Sequence, residues 1–489
     1  MNKKIFVTVL SVMLPLLAGA QALKGSYFLD NSLNRHELNP AFAPRADYFQ
    51  LFGIGNMGVG LGTNLEIPTF LYPGNGELLT FLHPSISVSD FDKTLAKHPH
   101  IDAEYNTTLF GFGFYTKKKS YWTFDIDVRA NIDGDLPRDL FMFVKKGTGT
   151  SGESFNVGNL NLYASAGLQA SLGYSRNIFD GLRVGAKARL IAPFAYAALN
   201  IEKITLNTGY DKWSLATEGY AHAAMAGLDM SLPKGEMMPT MEFDPYRFIS
   251  DGMLAGIGYS FDLGAEYVLE VGTFLDGLSI SAAVTDLGQI RYKDSAVSSF
   301  KSGGSVEWTG LQDVSIDNLG FEESINEFLE NAQENLLNLS EIKNEGTFTC
   351  STMPRFHVGV EMPFLKRSMS FGLLYSARMS HSYTRNELTV SYNLNPCKWF
   401  ALGVNYSFLN AANTLGFLME LTPRVGPAFY IGCDYIPIEF APASFVPMLQ
   451  MLPTSMRLNL NFGIAFHVGG KTTKVKKDKK DNKKDNKSK

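Results

Sequence analysis

The chain has 489 residues, of which 19% are charged and 12% aromatic, with 45 glycines and a formal net charge of −4. That length suffices for two or three soluble domains or for one large barrel, and the slightly acidic balance gives no basic footprint for nucleic acid. Past the first twenty residues no uninterrupted apolar run reaches the ~18 residues of a helical span, which excludes membrane-crossing helices.

Residues 1–20 read as a secretory signal peptide. Lys3 and Lys4 form the charged start, residues 5–17 the apolar core, and Ala18-Gly19-Ala20 a small-residue cleavage site that makes Gln21 the first mature residue. No Cys follows that site, which argues against a lipoprotein anchor. Residues 21–46 are polar and short, with Pro40 and Pro44 near their end. They are expected to form a periplasmic arm or a segment that plugs a lumen from below.

From residue 47 to 468 the dominant signal is alternation with a period of two, the signature of strands with one apolar face. In 106–115, Phe110, Phe112 and Phe114 share a face. In 121–129, Trp122, Phe124, Ile126 and Val128 oppose Thr123, Asp125, Asp127 and Arg129. In 162–174, Leu168, Ala170 and Leu172 oppose Gln169, Ser171 and Gly173. In 182–190, Arg183, Gly185, Lys187 and Arg189 oppose Val184, Ala186 and Ala188, and in 255–267, Ser260, Asp262 and Glu266 oppose Tyr259, Phe261 and Leu263. Residues 356–362, 369–379, 388–394, 400–408 and 456–468 repeat the pattern.

Soluble sandwiches also alternate, but three features favour a transmembrane antiparallel β-barrel. The strands run about 9–13 residues, enough to cross a bilayer with tilt. Their polar faces carry Gly, Ser and opposed charges, as a wet lumen would. Aromatics such as Trp122, Tyr174, Tyr267, Trp399 and Phe466 sit at strand ends, where interfacial girdles form. Short turns at 117–120, 177–181, 363–367 and 395–398 alternate with long connectors near 63–104, 132–159, 231–252, 287–349 and 437–454. The fold class is therefore all-β, a barrel of 14–16 strands. The count depends on whether 305–317 form a strand or part of an excursion.

Residues 321–342 break the pattern. Phe321, Ile325, Phe328, Leu329, Leu336 and Leu337 recur at helical spacing, which predicts one amphipathic helix in a long loop. After the last strand, 469–489 form a Lys-rich tail, with ten Lys and three Asp from 471 onward, expected to be disordered and periplasmic.

Charged side chains facing lipid would cost about 2–4 kcal/mol for Arg or Lys at the midplane. Asp125, Asp127, Arg129, Arg183, Lys187, Arg189, Asp262 and Glu266 are therefore placed in the lumen, as the candidate gate. They form either a constriction around a permeation path or a salt-bridge lattice that shuts the barrel. The lattice is preferred, because pairing satisfies charges that otherwise need water. His381-Ser382 and 357–361 set His near Ser or a carboxylate, but no G-x-S-x-G context accompanies them, so no catalysis is expected. Cys350, Cys397 and Cys433 are too widely spaced for a zinc pattern, and no metal or cofactor is expected. The apolar connectors 67–72 and 440–452 are unusually greasy for loops. They mark either a binding surface for a hydrophobic cargo or loops packed on themselves.

Leu38-Asn39-Pro40-Ala41, Thr285-Asp286-Leu287-Gly288 and 356–361, on a chain-long barrel, resemble an uncharacterised outer-membrane β-barrel family of Bacteroides-type bacteria. That family is distantly similar to the long-chain fatty-acid transporter barrels and to the carrier barrel of type IX secretion. The resemblance implies 14 strands and an N-terminal segment in the lumen near an Asn-Pro-Ala motif, which makes Asn39, Pro40 and Ala41 a possible hatch. The chain departs from many such barrels in that Phe466 is followed by His467, Val468 and the Lys-rich tail rather than closing on an aromatic. The expected function is passive transport or binding of a small hydrophobic molecule in the outer membrane. The alternative is a docking or carrier barrel whose partners are other envelope proteins.

Overall fold

The computed structural model describes residues 23–468, apart from 52–53, 75–77, 117–119, 147–152, 157, 209–212, 232–239, 251, 273–274, 309–339, 342–347, 382, 410–412, 447–448 and 454–455. The expected signal peptide and the Lys-rich tail lie outside the described residues.

Fourteen antiparallel strands close into a barrel. In chain order they are β1 (Tyr48–Leu51 and Met57–Thr63, one strand with a break), β2 (His100–Tyr115), β3 (Tyr121–Asp135), β4 (Leu160–Phe179), β5 (Leu182–Thr208), β6 (Gly256–Val268) and β7 (Ser279–Tyr292). The second half comprises β8 (Arg355–Phe364), β9 (Met369–Met379), β10 (Thr384–Cys397), β11 (Phe400–Phe408), β12 (Thr414–Leu421), β13 (Val425–Pro437) and β14 (Leu458–Val468). Each strand pairs with its sequence neighbour. Closure comes from β14 on β1, with Tyr48 opposite His467 and Met57 opposite Phe462. The lower bound of the expected count is therefore the observed one.

The alternation places polar side chains inward. On β6, Ser260 and Asp262 are 1% and 0% exposed, whereas Ile257 and Leu263 are 60% and 56% exposed. This inverts a soluble domain, in which large apolar side chains go inside. An apolar outer belt is stable only against hydrocarbon, and ring closure leaves no strand edge unpaired there. Tight turns fall at one end. In the two-residue turn Asp180-Gly181, Gly181 adopts φ +91°, a left-handed conformation that a side chain would disfavour.

The other end carries the long connectors, which are structured. β5 runs well beyond the expected length because its outer half leaves the wall. There it pairs with Trp213–Met225, which in turn pairs with Val297–Trp308, forming an outer sheet over the rim. The stretch 305–317 is thus strand as far as Trp308, and its remainder lies outside the described residues. The expected helix over 321–342 falls mostly outside them too. At its end, Ser340–Glu341 is strand instead, paired with Phe300 and Lys301, because the edge of Val297–Trp308 offers free backbone partners.

The greasy connector at 67–72 folds on itself. Phe70 packs against Phe81, Phe91 and Phe141 at ring separations of 5.5, 6.2 and 5.7 Å. The second greasy stretch is a hairpin of Phe440–Val446 with Leu449–Pro453.

Candidate functional site

The N-terminal segment lies inside the barrel. Two short 3-10 turns, Lys24–Ser26 and Asn34–Glu37, carry buried side chains, and Tyr27, Leu29 and Asn39 are fully enclosed. Its own core is Tyr27 with Phe28 and Phe42, each 4.9 Å away, and Arg35 lies 4.0 Å over the Phe42 ring. Lys24 pins the front of the segment. Its ammonium pairs with Glu387 and donates to Tyr435 Oη at 2.8 Å, while Asp434 accepts the Lys24 and Gly25 amides at 2.7 and 3.0 Å.

The wall makes room for this plug with glycine, whose missing side chain permits close approach of another backbone. A Cβ on Gly185 would sit 2.1 Å from the Pro40 carbonyl oxygen, and one on Gly264 2.0 Å from Asn39 Oδ1. Likewise Gly359 receives Tyr27 and Gly372 receives Phe28. The possible hatch residues thus sit against β5 and β6. Asn39 donates to the carbonyls of Ala265 and Ala282 at 3.3 and 3.5 Å, and its own Oδ1 accepts the Ala41 amide at 2.9 Å.

All eight charged residues expected in the lumen lie on inward positions, and the structure brings them into different settings. Asp125 accepts from Lys187 at 3.2 Å and from His36 of the plug at 3.1 Å. Arg189 bridges Asp262 and Asp286, both at 2.6 Å. Arg129 reaches Asp286 at 3.3 Å and Glu37 of the plug at 3.8 Å. The other three make neutral contacts: Asp127 accepts from Thr108 at 2.7 Å, Glu266 from Ser279 at 3.3 Å, and Arg183 donates to Ser175 and Asn177.

The larger part of the lattice escaped the sequence reading. Arg355, Arg378 and Arg385 stand directly opposite one another on β8, β9 and β10, a row of three like charges in register. Such a row is destabilising unless anions cover it. The anions come from β2 on the far wall. Glu104 pairs with Arg378 and, at 3.2 Å, with Arg355, while Asp102 pairs with Arg385 at 2.8 Å and with Arg457, just before β14, at 2.7 Å. Arg355 also lies 3.6 Å from Asp286. The ion pairs thus join six arginines and five carboxylates into one network from the plug to the loop end of the lumen. The signal available in sequence was the parity of Asp102 and Glu104, but a bulge between Thr108 and Phe110 reverses it. Carried through from Phe110, the alternation would have sent both carboxylates to lipid.

Two cavities flank this network. The first, with about 770 Å³ of empty space open to solvent, lies toward the loop end between Tyr196, Tyr292 and Ile290 on one side and Arg129, Arg355 and Arg378 on the other. The second, about 400 Å³, extends to Glu37 and Leu38 of the plug. They share Arg129, Asn131, Asp286 and Arg355, so the Arg129–Asp286–Arg355 bridge stands between them. His357 is buried, its Nδ1 3.0 Å from Ser376 Oγ, and His381 stacks on Tyr163 at 4.2 Å; Ser382 lies outside the described residues.

Among solved structures the chain is similar to the toluene transporter TbuX of Ralstonia pickettii (10% identity over 89% of this chain and 94% of that one, TM-score 0.41). It is also similar to a FadL homologue of Pseudomonas aeruginosa (10%, 91% and 96%, TM-score 0.40) and to the toluene transporter TodX of P. putida (10%, 92% and 96%, TM-score 0.38). Likenesses this distant carry no argument about activity, and the barrel rests on its own strand registers. No curated protein matches the chain. Residues 40–434 match a family of unknown function, DUF5723, and with most of its length inside that match the chain belongs to that family.

Proposed function

We propose that this protein is an outer-membrane barrel for the passive uptake or binding of a small hydrophobic molecule, closed at rest. In this reading the long connectors face outward from the cell, and the turn end and N-terminal plug face the periplasm. The observation that carries it is the pair of cavities sharing the Arg129–Asp286–Arg355 bridge, with the plug as floor of the inner one. Cargo enters above the bridge, and displacement of the bridge and the plug opens the way down. The apolar side of the outer cavity suits such a cargo. No step in this reading requires a nucleophile, a metal or a cofactor.

The alternative, a docking or carrier barrel in an envelope complex, is favoured by one specific observation. Lys24, Glu387, Tyr435 and Asp434 fasten the plug through buried charges. The two readings separate in cells carrying the full chain. Uptake of N-phenylnaphthylamine, a neutral probe that an intact outer membrane excludes, should exceed that of cells lacking the chain. Unchanged uptake together with a stoichiometric co-purifying envelope protein would replace the transport reading with the docking one.

A further inference from the structure

The outer cavity has two chemically different walls. One is aromatic and apolar: the Tyr196 and Tyr292 rings lie 5.1 Å apart, backed by Phe348 at 5.5 and 5.9 Å, with Ile290 beside them. The other presents three guanidinium groups, from Arg129, Arg355 and Arg378, with Asp286 as the carboxylate among the lining residues and Glu104 behind Arg355 and Arg378. Arg378 is 4% exposed, and its Nε has no hydrogen-bond partner. Buried donors of this kind are costly to leave unmade, and planar guanidinium groups match carboxylates in geometry.

We propose that this cavity binds a short aryl carboxylate, its carboxylate taken by Arg378 and Arg355 and its ring laid against Tyr196 and Tyr292. The proposal names the cargo class of the uptake reading and rests on that reading for the ligand's role as cargo. The shape argues for a short, flat molecule. The Arg129–Asp286–Arg355 bridge floors the cavity, so a long chain has no room to extend below while the bridge is closed.

The test is calorimetric titration of the full-length protein in a non-ionic detergent with 2-naphthoate and with 2-naphthamide, which has similar shape but no charge. The native protein should bind the carboxylate about ten-fold or more tighter than the amide, the scale of charge-assisted bonding to Arg. Arg378→Gln should abolish that preference, Arg378→Lys should keep part of it, and Tyr196→Ala should weaken both ligands. Equal affinities for the two ligands, or no binding of naphthoate to the native protein, overturns the proposal without use of any variant. Failure of the uptake reading is seen separately: it would abolish N-phenylnaphthylamine entry while leaving the naphthoate preference intact.

Discussion

Glu104 on β2 and Arg378 on β9 form a buried ion pair between strands seven apart in a ring of fourteen, which places them on opposite walls. Two side chains cannot bridge an open barrel of this strand number, so the lumen is pinched at this level. Removing one partner leaves the other charge buried. Glu104→Gln should destabilise the barrel by about 3–5 kcal/mol, and Glu104→Gln with Arg378→Gln by less than the sum of the singles. Denaturant unfolding in micelles checks the energies. Planar-bilayer recordings should show higher conductance in the double variant than in the native protein.

Arg189 and Arg183 share one strand and one face, yet the structure separates their roles. Arg189 neutralises Asp262 and Asp286, whereas Arg183 donates to Ser175 and Asn177 near the turn end. Arg189→Ala should therefore cost several kcal/mol, as loss of a buried partner does, and raise conductance. Arg183→Ala should cost about 1 kcal/mol or less, the scale of ordinary hydrogen bonds. Similar losses in both variants would contradict this assignment.

Gly264 and Gly185 are two of the wall glycines that admit the plug. Gly264→Val and Gly185→Val drive a methyl group into Asn39 or Pro40, and overpacking of this kind costs about 1–3 kcal/mol. Either change should expose the segment. A cysteine in place of Ser32, which is 3% exposed, reports this directly. Its maleimide labelling should be slow with the native glycines and faster by roughly ten-fold or more with either valine, since 1.4 kcal/mol is a factor of ten.

Lys24 is the clasp at the front of the same segment. Lys24→Met leaves Glu387 buried with the Tyr435 and Thr389 hydroxyls as donors in place of an ammonium. It should raise Ser32→Cys labelling and lower the unfolding midpoint. Lys24→Met combined with Glu387→Leu removes both charges and should recover part of the lost stability, because a paired loss avoids the orphaned carboxylate. A double variant less stable than Lys24→Met alone would show that the clasp is not a charge pair.

Most of the barrel was legible because a two-residue period encodes it residue by residue. On β6, Ile257, Tyr259, Phe261 and Leu263 declared the lipid face, and Asp262 followed as inward. What escaped has physical causes. The Thr108/Phe110 bulge inverts the parity that would have exposed Asp102 and Glu104 as lumen residues. The arginine row depends on the registers of β8, β9 and β10, and no single strand's sequence fixes its register against the next. The partners across the lumen lie more than 250 positions apart in the chain. Val297–Trp308 of the outer sheet hid in the 287–349 connector because it carries polar and small residues on both faces, as in Ser302-Gly303-Gly304-Ser305, and alternation is then weak.

In the uptake reading cargo passes only when the plug moves, and tethering the plug to the wall blocks that movement. Asn39 Oδ1 lies 2.0 Å, and Asn39 Cγ 2.9 Å, from a Cβ position on Gly264, so Asn39→Cys with Gly264→Cys places two thiols within bridging geometry. With Cys350, Cys397 and Cys433 replaced by Ser, N-phenylnaphthylamine uptake is measured in the same cells before and after reduction. Uptake should stay at the level of cells lacking the chain while the disulfide is closed, and rise on reduction. Uptake that is equal in the two states would contradict that reading.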